Sequence, residues 1–355
     1  MSRFLTEKYK SLKPYTPGEQ PKDRQFIKLN TNESPYPPSD KAIELAAAEA
    51  KRLLLYPDPE MRELTELMAK TLGVGRKQCI MSNGSDEVLN FAFMAWCDKS
   101  SPAVFPDITY GFYKVFADLG GIPYVEIPLR SDFTIDVEDY VKASGTVFIA
   151  NPNAPTGIAL TLEQIERILI SNTDRIVVID EAYVDFGTES AVGLISRYDN
   201  LLVTGTFSKS RSMAGARLGY AVGSEALIDD LNRIKYSTNP YNVNRMTAAA
   251  GIGALVDKEY FEKNCESIIQ IRTWCKEELE KLGFECTDSV ANFLFVRSDR
   301  ITGRELYSAL REAGILVRHF DSDRICDYNR ITVGNREQMQ ALVDAIKAMP
   351  EFSNL

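Results

Sequence analysis

A chain of 355 residues with 50 acidic and 41 basic side chains carries a formal net charge of -9, and no basic stripe offsets it, which argues against a nucleic-acid partner. Its single histidine, His319, excludes a multi-histidine metal site within one chain and argues against a Ser-His-Asp triad, so general acid–base work falls to another side chain. The six cysteines form no C-x-x-C pair, Met1 to Lys8 lack an apolar signal core, and no apolar run reaches membrane-span length; the expectation is a soluble cytoplasmic protein without a metal.

At this length two domains are expected. The first 25 or so residues, rich in proline and charge, read as an arm. Residues 79–81 form a short strand that runs into Ser82-Asn83-Gly84-Ser85-Asp86-Glu87 and then an apolar helical pattern. Backbone N–H groups at such a helix start bind phosphate, and an ordinary serine or aspartate N-cap is compatible with that role. Residues 102–105 read as a strand, and so do the apolar residues 146–150, which end in the rigid turn Asn151-Pro152-Asn153-Ala154-Pro155-Thr156-Gly157.

The β-branched run Val177-Val178-Ile179 ends in Asp180-Glu181-Ala182-Tyr183. Ligands of open α/β sheets bind outside the carboxyl ends of the strands, which puts Asp180 at the crevice; the alternative is that Asp180 or Glu181 caps the next segment. A strand at 201–204 leads to Thr206-Phe207-Ser208-Lys209, followed by Arg217 and a strand at 218–222. A lysine is protonated near neutral pH, with a reference pKa of about 10.4, and becomes a nucleophile only where desolvation or a nearby cation lowers it. A crowded junction with Arg217 close by is one way to do this, although an isolated Ser-Lys dipeptide is ordinarily a charged turn.

Strands alternating with helical patterns predict a mostly parallel, helix-covered sheet. From about Arg245 the pattern changes to long amphipathic helices, for example 260–282, and then to short strands around Phe293, Leu316 and Ile331. The expected division is an arm over 1–25, a large domain over 26–245 and a smaller α+β domain over 246–355.

In this order the motifs resemble the fold-type I pyridoxal-phosphate aminotransferases, and most closely the histidinol-phosphate aminotransferase group. The resemblance runs over nearly the whole chain and includes Lys13-Pro14-Tyr15, Leu29-Asn30-Thr31-Asn32-Glu33-Ser34-Pro35, Tyr56-Pro57-Asp58, Pro240-Tyr241-Asn242, Ala291-Asn292-Phe293 and Arg330-Ile331-Thr332-Val333-Gly334. It implies an α/β fold with a seven-stranded, mostly parallel sheet in the large domain, a smaller α+β domain and an N-terminal arm.

The resemblance also implies roles. Lys209 forms the Schiff base with pyridoxal 5'-phosphate and shuttles the proton, Asp180 pairs with the ring nitrogen, Tyr183 hydrogen-bonds the 3-oxygen, and Tyr110 stacks on the ring. Ser85, Asp86, Ser208 and Arg217 hold the phosphate, with Tyr56 reaching in from the partner of a homodimer. Tyr15, Asn32, Arg318 and Arg330 contact the substrates, an amino donor and a 2-oxo acid, and arginine suits this task because its planar fork binds carboxylate or phosphate through two parallel hydrogen bonds. One position departs from the family pattern: Ala154 stands where an asparagine usually precedes Pro-Thr-Gly, and Asn153 is the expected substitute donor to the 3-oxygen.

The implied reaction is amino transfer from histidinol phosphate to 2-oxoglutarate in histidine biosynthesis. A threonine-phosphate decarboxylase and an aromatic amino-acid aminotransferase remain as alternatives on the same scaffold. A cofactor-binding regulator lacks room for a DNA-binding domain, and a dinucleotide-binding dehydrogenase lacks a G-x-G-x-x-G after a strand.

Overall fold

The computed structural model describes residues 2–21 and 24–353, so Met1, Lys22 and Asp23 of the expected arm lie outside the described residues. In chain order the strands are β1 (Ile27–Lys28), β2 (Cys79–Ser82), β3 (Ala103–Pro106), β4 (Tyr124–Ile127), β5 (Thr146–Ala150), β6 (Val177–Asp180), β7 (Leu201–Thr206), β8 (Gly219–Gly223), β9 (Phe284–Cys286), β10 (Phe293–Ser298), β11 (Ile315–Leu316), β12 (Arg318–His319) and β13 (Asn329–Thr332). Seven of them form one sheet in the order β2-β8-β7-β6-β5-β3-β4. Its neighbours pair in parallel except β8, which runs against both β7 and β2.

Strand periodicity sorts the side chains of this sheet into two layers. Val147 and Ile149 of β5, Val177 and Ile179 of β6 and Leu201 and Val203 of β7 enter one apolar cluster. Phe148, Val178 and Leu202 enter the other, where helices Gly84–Trp96 and Phe112–Gly120 cover them. Each such side chain contributes about 1.5–3 kcal/mol by leaving water. The helix Arg245–Val256, assigned to the smaller domain in the sequence reading, buries Ala250, Ala254 and Leu255 in the first cluster.

A second, antiparallel sheet has the order β12-β13-β10-β9. The helices Lys258–Lys281 and Arg336–Lys347 bury Ile268, Cys275, Leu342 and Val343 in the cluster that includes Phe293 and Leu294 of β10. β1 pairs in parallel with β11, tying residues just after the arm to this half of the chain. The sequence reading omits β4, an edge strand whose Val125 and Glu126 face solvent, so no continuous apolar run marks it.

Candidate active site

The carboxyl ends of β5, β6 and β7 open into a cavity of about 390 Å³ lined by Ser85, Asp86, Tyr110, Asp180, Tyr183, Ser208, Lys209 and Arg217 among others. Eight residues expected from the sequence thus meet at one place. Strand alternation explains how Asp180 points there. It follows Val178 on the same face of β6, with Ala150 opposite it on β5 and Thr204 opposite it on β7. The small Ala150 leaves room that a larger side chain would fill.

Asp180 is 4% exposed and accepts hydrogen bonds from the Tyr113 hydroxyl (3.0 Å) and the Thr204 hydroxyl (3.0 Å). Both donors are neutral. Burial therefore pushes its carboxyl up from 3.8 to about 6, against the pull of these hydrogen bonds. Glu181, which points the other way, accepts from the Ser190 hydroxyl (2.6 Å) and the Ala191 amide (2.6 Å), and burial pushes it up to about 8. It braces the 190–191 turn rather than the cavity.

Lys209 follows β7, and its ammonium donates to the Thr31 carbonyl (3.2 Å) and lies 5.7 Å from the centre of the Tyr183 ring. The Tyr183 hydroxyl is fixed by the Asn32 amide nitrogen, which donates to it at 3.0 Å. Asn32 is in the left-handed region (φ 57°), and the Thr332 hydroxyl, which donates to its side-chain oxygen (3.1 Å), and the Asn292 amide, which donates to its carbonyl (3.0 Å), hold it there. Both polar atoms of the Asn32 side chain are thus engaged within the protein. Asn32, expected on the substrate side, holds Tyr183.

At the other end of the cavity, β8 approaches the first turn of helix Gly84–Trp96 so closely that a Cβ on Gly219 would lie 2.4 Å from the Ser85 amide nitrogen. Gly84 has φ +76°, and a Cβ there would meet the Arg217 guanidinium at 2.7 Å. Two glycines therefore let Arg217, itself left-handed at φ 56°, lie against a helix N-terminus with unsatisfied amides. Arg217 pairs with the Asp86 carboxylate (2.7 Å), whose other oxygen accepts from the Tyr110 hydroxyl (2.5 Å). The Ser208 hydroxyl lies 3.0 Å from that of Thr206.

Asn153 is engaged within the fold. Its side-chain oxygen accepts from the Thr109 hydroxyl (2.7 Å), and its nitrogen donates to the Ile108 carbonyl (2.9 Å) and to Thr156 (3.1 Å). With every one of these bonds inside the fold, it braces the segment before Tyr110, while Ala154 lines the cavity. Tyr15 packs on Phe112, with ring centres 4.4 Å apart, and does not line the cavity.

Arg318 and Arg330 stand directly opposite each other on β12 and β13. Arg330 donates to the Asn30 carbonyl (3.1 Å), its Nε has no partner among the described residues, and burial lowers its pKa, with Tyr183, Tyr15, Arg318 and Tyr110 all within electrostatic reach. Arg318 donates to the Thr16 carbonyl of the arm (3.4 Å). Tyr56, 78% exposed, lies outside the cavity of its own chain and stacks on Tyr241 at 4.6 Å.

Sequence reasoning missed Tyr113, Thr204 and Thr332. Tyr113 carries a faint signal, an aromatic three residues after Tyr110, but nothing separates it from a core aromatic.

A buried carboxylate at a strand end, a lysine on the wall of the same cavity and a helix start with Arg217 against it are the layout of an α/β enzyme site. The aminotransferase class I and II family matches residues 24–346, and the chain belongs to that family. It is 49% identical to the histidinol-phosphate aminotransferase of Brachyspira hyodysenteriae over 98% of this chain and 99% of that one. It is also 49% identical to that of Acinetobacter baylyi, over 97% of each. The structure of the Sinorhizobium meliloti histidinol-phosphate aminotransferase in complex with pyridoxal-5'-phosphate has the same fold, with a TM-score of 0.89 at 24% identity over 100% of this chain and 98% of that one.

Proposed function

We propose that this protein transfers an amino group from histidinol phosphate to 2-oxoglutarate with pyridoxal 5'-phosphate as cofactor. The observation that carries this reading is Asp180, a buried carboxylate with neutral hydroxyl partners, facing a cavity with Lys209 on its wall. A cationic ring nitrogen is the partner this carboxylate lacks, and the amides beside Gly84 with Arg217 suit a phosphate, so the donor set fits the cofactor at both ends. Once bound, the cofactor supplies a ring that takes up the electrons released at the substrate's α-carbon.

The chain's own residues do the rest. Asp180 keeps the ring nitrogen protonated. Tyr183, held by Asn32, would donate to the 3-oxygen. Tyr110, on the cavity wall, would cover one face of the ring. Ser85 and Asp86 through their amides, Ser208 through its hydroxyl and Arg217 hold the phosphate. Lys209 would hold the cofactor at its aldehyde carbon and, once released, would move the proton at the substrate's α-carbon. Arg330, half-buried beside Arg318 and in no ion pair among the described residues, takes the acidic group of each substrate in turn.

Tyr56 completes the phosphate site of a second copy. Leu53, Leu54, Leu55 and Tyr56 are all exposed, and their segment is clamped by Arg245, which donates to the Tyr56 carbonyl (3.1 Å), and by the buried Lys235, which donates to the Pro59 carbonyl (2.7 Å). Such a contiguous apolar patch on a fixed support suits a homodimer. No helix among the described residues is long and apolar enough to cross a membrane, and the six cysteines are free, in keeping with the cytoplasm. The chain divides into an arm, a cofactor-binding domain and a smaller domain, with helix Arg245–Val256 counted in the cofactor-binding part.

Steady-state assays with 2-oxoglutarate as acceptor test the reading. A higher kcat/KM for histidinol phosphate than for phenylalanine or tyrosine supports it; the reverse order would make the protein an aromatic aminotransferase.

A further inference from the structure

Like charges directly opposite each other on paired strands repel, so the placement of Arg318 against Arg330 needs support, part of it from the Phe320 ring, 5.9 Å from each guanidinium. The two strands that carry them are joined by residues 320–328, and this connection is fastened to the seven-stranded half of the molecule. Ile325 is buried in the first apolar cluster, and the Tyr328 ring, stacked on Phe295 of β10 at 4.6 Å, meets Phe133 edge-on at 5.2 Å. The polar anchor is Arg324. Its guanidinium pairs with the Asp107 carboxylate (2.6 Å) and donates to the carbonyls of Leu129 (2.8 Å) and Arg130 (3.1 Å).

Asp107 is itself fixed, since its carboxylate accepts from the Leu129 amide (2.9 Å) and its own amide donates to the Ile127 carbonyl (2.9 Å). It directly follows β3 and stands three residues before Tyr110, at the start of the segment that Asn153 braces. One side chain therefore links the strands bearing both arginines to the loop bearing the aromatic wall of the cavity.

We propose that Arg324 is a positioning residue that sets the distance between the Arg318–Arg330 pair and the Tyr110 wall, and so governs affinity for the acidic end of both substrates without touching them. The proposal rests on the reading of these arginines as the acid-binding pair. A guanidinium making a forked set of contacts fixes geometry in a way an ammonium cannot, so the conservative substitution is informative.

The experiment compares Arg324→Ala, Arg324→Lys and Asp107→Asn with the parent enzyme. For Arg324→Ala, KM for histidinol phosphate and for 2-oxoglutarate each rise about tenfold while kcat stays within about twofold, the signature of lost uniform binding. Cofactor affinity and the absorption maximum of the bound cofactor stay at parent values. Arg324→Lys falls between parent and Ala, and the Ala/Asn double variant is no worse than Arg324→Ala because the two act through one contact. A fall in kcat at unchanged KM, a loss of cofactor affinity, or a lysine variant no better than alanine would overturn the proposal. Arg330→Gln, measured alongside, separates the two levels. If it leaves KM unchanged, the acid-binding reading fails and takes the proposal with it; if it raises KM while Arg324→Ala does not, the positioning role alone fails.

Discussion

Asp180→Asn keeps the size of the side chain and removes its charge, and it should move two measurements in opposite directions. In the cofactor-free protein, burial raises the carboxyl from 3.8 to about 6. A carboxyl whose pKa is higher folded than unfolded takes stability away as pH rises from 3.8 through about 6, and the whole loss is in place at pH 8. At 1.36 kcal/mol per pKa unit that loss is about 3 kcal/mol, so the cofactor-free Asn variant should be the more stable protein at pH 8 by up to about this amount and should converge with the parent near pH 4. With cofactor bound the sign reverses. Removing one partner of a buried ion pair costs about 3–5 kcal/mol, a combined factor of about 10²–10⁴ in cofactor affinity and turnover. Thermal unfolding of both cofactor-free proteins at pH 4 and pH 8, cofactor titration by absorbance and a turnover assay read these effects separately. A variant no more stable than the parent at pH 8, or one with near-normal turnover, would refute the reasoning.

Asn153→Ala removes the bonds to Thr109, Ile108 and Thr156, so it should lower stability by about 1–3 kcal/mol while leaving the absorption maximum of the bound cofactor in place; a shifted maximum would mean that Asn153 touches the 3-oxygen after all. Burial pushes Glu181 up to about 8, so stability should fall as pH rises from 4.5 through 8, and Glu181→Gln should flatten that fall by on the order of a few kcal/mol. Parallel unfolding profiles for the two proteins would contradict it. Lys209→Ala and Tyr56→Ala should each be inactive or nearly so alone, yet unfolding and refolding them together should restore about a quarter of parent activity, because half the dimers then hold one intact site. No recovery on mixing would mean that Tyr56 does not serve a neighbouring copy.

The chemistry was legible where residue type and position coincide. Val177 to Asp180 announces both a buried strand and a carboxylate at its end, and the run from Thr206 to Lys209 does the same for the lysine. What escaped the sequence depends on directions in space. Asn153 and Ala154 are neighbours in one proline-rich turn, and nothing in their order says that the amide of one braces the Tyr110 segment while the methyl of the other faces the cavity. Asn32 carries a motif yet spends both polar atoms on Tyr183 and Thr332, a contact across about 150 residues for the first and 300 for the second. Likewise, the face-to-face pairing of Arg318 with Arg330 and the anchor at Arg324 arise from strand register and loop docking, which no local pattern encodes. The edge strand β4 was missed for a simpler reason: half exposed, it has no apolar signature to read.

The most direct test of the central claim is a single half-reaction. Cofactor-loaded protein is mixed with histidinol phosphate and no oxo acid while the absorption spectrum is followed, with a parallel sample of threonine phosphate monitored for released CO2. Conversion of the cofactor to its amine form in the first tube, with no CO2 from the second, is the result predicted here. An unchanged spectrum in the first with CO2 appearing in the second would contradict the account and make the protein a decarboxylase.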